Sequence, residues 1–279
     1  MAKINKSHIL THRIEKYLID KAIKEAERRF NYSKTTLSPS TDFACQKRAY
    51  LSIKNSGPKA LPINEKDFSY TNEIAKDAGN AYHLLIQKYF SEMNIVRLNE
   101  TTLEDEKLKI KARIDNLIEI DNQLYLVEIK SVKSYAIHMM ESEGAINGEH
   151  LKQVNCYFHL LDLNKDREDI SKILNGRTVT KCILLYINKN DQKLSEYVVD
   201  KDNDLIDEII RYSKFVWKSV EDNEEPKTPF SPEDYECTYC PFYLYCHGKP
   251  KPEKLISRSE DKDVWGSVYS KPTKNEPQF

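Results

Sequence analysis

From Lys107 to Asp115 the chain alternates polar and apolar residues without a break, Lys-Leu-Lys-Ile-Lys-Ala-Arg-Ile-Asp, and no other stretch constrains the fold as much. Successive side chains of a strand point to opposite faces, so a period of two predicts a half-buried strand that runs on toward Ile120. Asp121-Asn122-Gln123 supplies a turn, and Leu124-Tyr125-Leu126-Val127-Glu128-Ile129-Lys130 returns as the second strand of a hairpin. A second hairpin is expected over 178–187 and 193–199. The faces of such strands must be covered, and helical spacing of apolar residues predicts helices over 13–30, 43–51, 70–93, 149–163 and 203–220. Ser38-Pro39-Ser40-Thr41-Asp42 offers several N-caps for the second of these, and Gly79 allows close packing in the third. This mixture predicts one α/β domain over 36–248, preceded by a helical extension over 1–35. The polar tail over 249–279 reads as largely disordered, with Trp265 and Tyr269 as an anchor or a strand laid against the domain.

Composition narrows the function. Lys and Arg number 43 against 44 Asp and Glu, so there is no global attraction to phosphate and any nucleic-acid surface must be local. Lys107, Lys109, Lys111 and Arg113 would form such a basic face on the first strand, the plain alternative being a solvated edge. With only 7 glycines the chain has no glycine-rich phosphate loop. The apolar run Cys182–Ile187 falls far short of the roughly 20 residues that span a bilayer. Met1–Lys6 leads into no apolar signal core, so a cytoplasmic protein without membrane contact is expected.

Glu128 and Lys130 share one face of their strand. If the hairpin sets Asp115 beside Glu128, two carboxylates converge where Mg²⁺ or Mn²⁺ can bind, with waters and phosphate oxygens completing the shell. Lys130 would orient a metal-bound water toward a phosphate; the plain alternative is a cross-strand ion pair. On the following helix Gln153 and Tyr157 lie one turn apart. Upstream, Gly79 and His83 have the same spacing, and an imidazole can complete a metal shell.

This order along the chain, His83, Asp115, Glu128-Ile129-Lys130, then Gln153 and Tyr157, resembles the PD-(D/E)XK nuclease superfamily and its RecB-like branch of DNA exonucleases. The resemblance implies a restriction-endonuclease-like mixed sheet flanked by helices. It also implies metal binding by His83, Asp115 and Glu128, a water-assisting Lys130, and a DNA channel lined by Gln153 and Tyr157. Ala112 stands where relatives often have glycine, three residues before the aspartate.

Six cysteines remain. Cys156 and Cys182 lie in apolar segments and read as core thiols. Cys45, Cys237, Cys240 and Cys246 can bind Zn²⁺ or an iron–sulfur cluster, and Cys-x-x-Cys does not choose between them. Their spacing resembles the iron–sulfur subgroup of this family, the CRISPR-associated exonucleases of the Cas-four type. That resemblance implies a 4Fe–4S cluster joining the N- and C-terminal segments, while the neighbouring His247 favours zinc. The function so implied is a metal-dependent exonuclease acting mainly on single-stranded DNA or frayed ends, in recombination, repair, phage DNA metabolism or CRISPR spacer acquisition. A helicase or CRISPR integration proteins would be its partners. A catalytically silent DNA-binding scaffold of the same fold is the alternative.

Overall fold

A computed structural model of the chain describes residues 9–28, 31–57, 68–144, 146–238, 240–248 and 269–270. In chain order its elements are α1 (Ile9–Glu27), α2 (Gln46–Lys54), α3 (Tyr70–Glu92), β1 (Val96–Asp105), β2 (Ile110–Ile120), β3 (Gln123–Val132), α4 (Ser134–Glu143) and the short β4 (Ile146–Asn147). They continue with α5 (Gly148–Leu163), α6 (Glu168–Leu174), β5 (Lys181–Asn188), β6 (Leu194–Asp200), α7 (Asn203–Asp222), the short α8 (Tyr235–Thr238) and α9 (Tyr243–His247), and β7 (Tyr269–Ser270).

Five strands form one sheet in the order β1-β2-β3-β5-β6. The pairs are antiparallel except β3 and β5, which run parallel. A parallel pair needs a crossover connection, and the chain between β3 and β5 makes it through α4, α5 and α6. Both hairpins expected from the sequence are present, and the mixed sheet between helices is the α/β architecture expected.

Strand alternation splits the core in two. Leu126, Cys182 and Leu184 face a large cluster with Val154 and Phe158 of α5 and Ile206, Ile209 and Val216 of α7. Val127, Ile129, Leu185 and Ile187 face the other way, onto Ile86, Tyr82 and Phe90 of α3. Gly79 lies at this second interface, where an added Cβ would sit 3.4 Å from Ser131 Oγ, so α3 does come close to β3 there. Ion pairs between Lys21 and Asp77 and between Lys76 and Glu25 hold α1 against α3.

The structure corrects three expectations. Lys107 and Lys109 lie in the β1–β2 turn, not on a strand, since β2 begins at Ile110. The basic face is also spent: Lys111 pairs with Glu104, Arg113 Nε is 2.6 Å from Glu100, and Lys109 Nζ lies 4.6 Å from the centre of the Trp217 ring. Helix α2 starts with Cys45 at its N-cap, without a side-chain cap. Asp42, 1% exposed, instead accepts from Ser38 N and Lys34 Nζ, both at 2.6 Å, and so closes the preceding loop. Cys156 and Cys182 are fully buried core thiols, as expected, and burial raises the pKa of both.

Of the tail, only β7 is described: it pairs antiparallel with β4, with Tyr269 opposite Asn147. Trp265 and the rest of 249–279 lie outside the described residues, as do Tyr239 and much of the Pro58–Pro62 loop. Among the described residues no helix is long and apolar enough to cross a membrane.

Candidate active site

The alternation along β2 slips by one at Asp115. Ala112 and Ile114 before it and Leu117 after it all pack into the same core cluster, an odd spacing that regular pleating forbids. β1 slips at the same level, where Glu100 takes a left-handed φ of +47° between Leu98 and Leu103, which both face that cluster. At this level β2 also parts from β3, because their pairing starts only at Asn116 and Val127. The Ile129 N–H therefore has no strand partner from β2 and donates to Asp115 Oδ2 at 2.8 Å. Sheet geometry thus turns the Asp115 carboxylate toward β3.

Glu128 and Lys130 follow Leu126 on the face that packs against α5. Lys130 Nζ is 2.6 Å from Glu128 Oε1 and donates to Gln153 Oε1 at 2.8 Å. The Gln153 amide nitrogen donates to Glu128 Oε1 at 2.8 Å and to the Tyr157 hydroxyl at 2.5 Å. Spacing of four residues on α5 places Gln153 and Tyr157 together, and the α5 N-cap is a built one, Asn147 accepting from Glu149 N at 2.8 Å. From the opposite layer, α3 brings His83 Nδ1 to 3.3 Å from Asp115 Oδ2. The structure therefore gathers all six residues singled out by spacing, His83, Asp115, Glu128, Lys130, Gln153 and Tyr157, into one connected group.

The electrostatics of this group are those of charge held under cover. Glu128 is 2% exposed. Burial pushes its carboxyl pKa up and the Asp115 charge adds to that, while Lys130 and His83 oppose it. Burial and the Glu128 charge likewise raise the Tyr157 phenol well above its usual range. Burial alone would lower the His83 pKa, but the Asp115 carboxylate outweighs it and the net direction is up. Glu128 Oε2 is buried with no hydrogen-bond partner among the described residues. A buried carboxylate oxygen in that condition fits a bound cation, and the donor set of imidazole and carboxylates is one that Mn²⁺ or Mg²⁺ accepts.

Sequence spacing missed two neighbours. Glu100 lies opposite Asp115 across the β1–β2 pair, and ligand atoms of His83, Glu100 and Asp115 all fall within 4.8 Å of one another. No spacing signal marks it, since its place depends on strand register. Glu149 precedes Gln153 by one turn, and its carboxyl is pushed up by burial and drawn down by Arg48, Lys152 and Lys130. The stripe Glu149, Gln153, Tyr157 has a period of four and was legible.

Cys45, Cys237, Cys240 and Cys246 line one small cavity together with Arg48, Phe230 and Tyr243. Burial first, and then the neighbouring thiols, push Cys237 up to about 12. Thiols are the ligand type of both zinc ions and iron–sulfur clusters, but among the described residues the ligand atoms gathered within 4.8 Å of one another are those of His83, Glu100 and Asp115. His247 also lines the cysteine cavity, and its Nε2 is buried without a hydrogen-bond partner among the described residues. Lys47 is 2.6 Å from Glu225, which accepts from the Tyr245 hydroxyl at 2.6 Å, so polar contacts also join the two chain segments.

No curated protein matches the sequence. Among solved structures, the crystal structure of SSO0001 shares the fold, with a TM-score of 0.51 and 19% identity over 84% of this chain and 96% of that one. An alkaline exonuclease (LHK-Exo) from Laribacter hongkongensis aligns with a TM-score of 0.45 and 14% identity, over 71% of this chain and 94% of that one. The family profile of the PD-(D/E)XK nuclease superfamily matches residues 65–247, a span that carries every residue of the hydrogen-bonded group from His83 to Tyr157. The chain belongs to the PD-(D/E)XK nuclease superfamily.

Proposed function

We propose that the protein is a metal-dependent DNA exonuclease that hydrolyses phosphodiester bonds in single strands or frayed ends. The observation that carries this reading is the buried Glu128, which is held on Oε1 by Lys130 and Gln153 and has its other oxygen free for a cation. His83, Asp115 and Glu128 would hold Mg²⁺ or Mn²⁺, which when bound lowers the pKa of a water and offsets charge gathering on the phosphate. Lys130 is kept by Glu128 and Gln153 in one position, where its ammonium can orient the attacking water. Attack on phosphorus breaks the bond to the leaving sugar oxygen, which takes the electron pair and then a proton from solvent.

Preference for a flexible strand follows from access. Asp115 is 9% exposed and Glu128 2%, so a phosphate would reach them past the more open side chains of His83 and Lys130 rather than lie on an open face. The four cysteines would hold a 4Fe–4S cluster, or Zn²⁺ with His247 nearby, and so join α2 to the C-terminal segment. In recombination, repair or CRISPR spacer acquisition, a helicase or CRISPR integration proteins would be its partners.

The test is digestion of 5′-labelled and 3′-labelled single strands and duplexes by anaerobically purified protein in Mn²⁺, with the visible spectrum recorded on the same sample. Stepwise shortening of single strands is expected, and a protein that binds DNA without cutting it would be a silent scaffold of this fold.

A further inference from the structure

We propose that Glu100 is an additional ligand of the cation in this site, held ready by Gln87 and Arg113; the inference rests on the nuclease reading above. Three elements converge on one point: His83 from α3, Glu100 from β1 and Asp115 from β2, with ligand atoms within 4.8 Å of one another. Ligands at about 2.1 Å from Mg²⁺ or Mn²⁺ stand roughly 3 Å apart when adjacent and 4.2 Å when opposite. His83 Nδ1 and Asp115 Oδ2, at 3.3 Å, already stand at the adjacent spacing, and Glu100 is the ligand that must close in on them. A second feature points to a cation independently of this cluster. Glu128 lies within electrostatic reach of both Asp115 and His83, and its buried Oε2 has no hydrogen-bond partner among the described residues.

Glu100 is also built into position. Its left-handed backbone, φ +47°, accompanies the paired slip of β1 and β2 and sets it opposite Asp115. Gln87 Nε2 donates to Oε1 at 2.6 Å, and Arg113 Nε lies 2.6 Å from Oε2. The two holders differ in kind. Gln87 is 6% exposed and fixes the carboxylate from the α3 layer. The Arg113 side chain is 68% exposed, so its ion pair is screened by water and easily given up. Arg113 then acts as a stand-in positive charge that an arriving cation relieves.

This arrangement predicts effects of opposite sign at the two ends of one ion pair. The probe is Mn²⁺ alone, titrated into the full chain without DNA, with free ion counted by electron paramagnetic resonance. Glu100→Gln keeps the volume and the acceptor for Gln87 but loses the charge, and should weaken Mn²⁺ binding by about 10- to 100-fold. Arg113→Gln should tighten it a few-fold. If Glu100 serves only its partner arginine, both variants bind Mn²⁺ like the wild type, and the inference is overturned. The Arg113 arm stands even if Glu100→Gln folds poorly, since that exposed side chain carries no packing role, and unchanged or weaker binding there also counts against it. Asp115→Asn separates the two ideas. Wild-type protein that neither binds Mn²⁺ nor cuts DNA sinks the nuclease reading. An Asp115→Asn variant that still does both moves the site elsewhere and takes Glu100 with it, and a dead Asp115→Asn beside a wild-type-like Glu100→Gln sinks only the role of Glu100.

Discussion

Two polar regions of the domain, one around Glu128 and one around Cys237, are held together in different ways. Around Glu128 the polar groups, its Oε2 apart, satisfy one another: Lys130, Gln153 and Tyr157 form a hydrogen-bonded chain on β3 and α5, which also pack on the large core. Around Cys237 the counterparts are four thiols in one cavity beside a small apolar cluster of Cys237, Tyr243 and Phe230. Thiols form weak hydrogen bonds, and their ionised forms repel one another without a metal. The first site is therefore shaped by the fold itself. The second leaves most of its cohesion to whatever the cysteines bind, with the Lys47–Glu225 pair as a modest supplement.

The sharpest break of this contrast is around Glu128. Lys130→Ala or Asp115→Ala should lower DNA cleavage by at least about 10²-fold while the circular dichroism spectrum and the cysteine-bound metal stay as in the wild type. Asp115→Ala should melt somewhat lower, because the Ile129 N–H loses its acceptor, with relief of the repulsion between Asp115 and Glu128 offsetting part of that loss. Full activity in either variant would place the chemistry elsewhere.

Around the cysteines the order reverses, with stability failing first. Cys45→Ser should lose bound iron or zinc, lose at least about 3 kcal/mol of stability and become protease-sensitive. Cys182→Ser keeps the metal and costs about 1–3 kcal/mol, for a hydroxyl placed in a fully buried core position. Retention of full metal content by Cys45→Ser, measured by elemental analysis, would remove Cys45 from the set.

Exchange of the proposed cation is a milder perturbation of the same contrast. Ca²⁺ should support DNA binding with little turnover, because its larger, looser shell polarises water less than that of Mg²⁺ or Mn²⁺. Chelation should stop cleavage without a change in secondary structure, and efficient Ca²⁺-driven hydrolysis would argue against the proposed ligands.

The smallest expected effect concerns His150, which follows Glu149 of the Glu149–Gln153–Tyr157 stripe on α5. Burial, helped by the Lys130 charge, pulls its imidazole down to about 3, and Nδ1 lies 2.9 Å from the Tyr186 hydroxyl. The folded pKa is below the unfolded one, so the unfolded chain takes up the proton first. The contribution is complete above about pH 6.5 and is lost as pH falls, by up to about 1.4 kcal/mol per unit. His150→Gln should flatten this acid-side fall in urea midpoints between pH 6.5 and 5, and an unchanged slope would show that His150 is not held neutral.

Local patterning was enough to read the β2–β3 hairpin, the β5–β6 hairpin, α3, α5 and α7, since each has a period of two or of four over many residues. It was enough, too, for the six residues from His83 to Tyr157, because side chains that must share one helix or strand face announce themselves by spacing. It failed at β1, whose alternation breaks at Glu100, at α4 and α6, which are short, and at Lys107 and Lys109, where a polar–apolar alternation ran through a turn. Tertiary structure alone decided what lies across the sheet: the opening of the β2–β3 pairing that frees Ile129 N–H for Asp115, the register that sets Glu100 opposite it, and the cavity that brings Cys45 to Cys237, Cys240 and Cys246. Spacing along a chain carries information about one element at a time. Register, strand divergence and the meeting of distant segments are set by the packing of whole faces, and no single window of sequence contains both partners of such a contact.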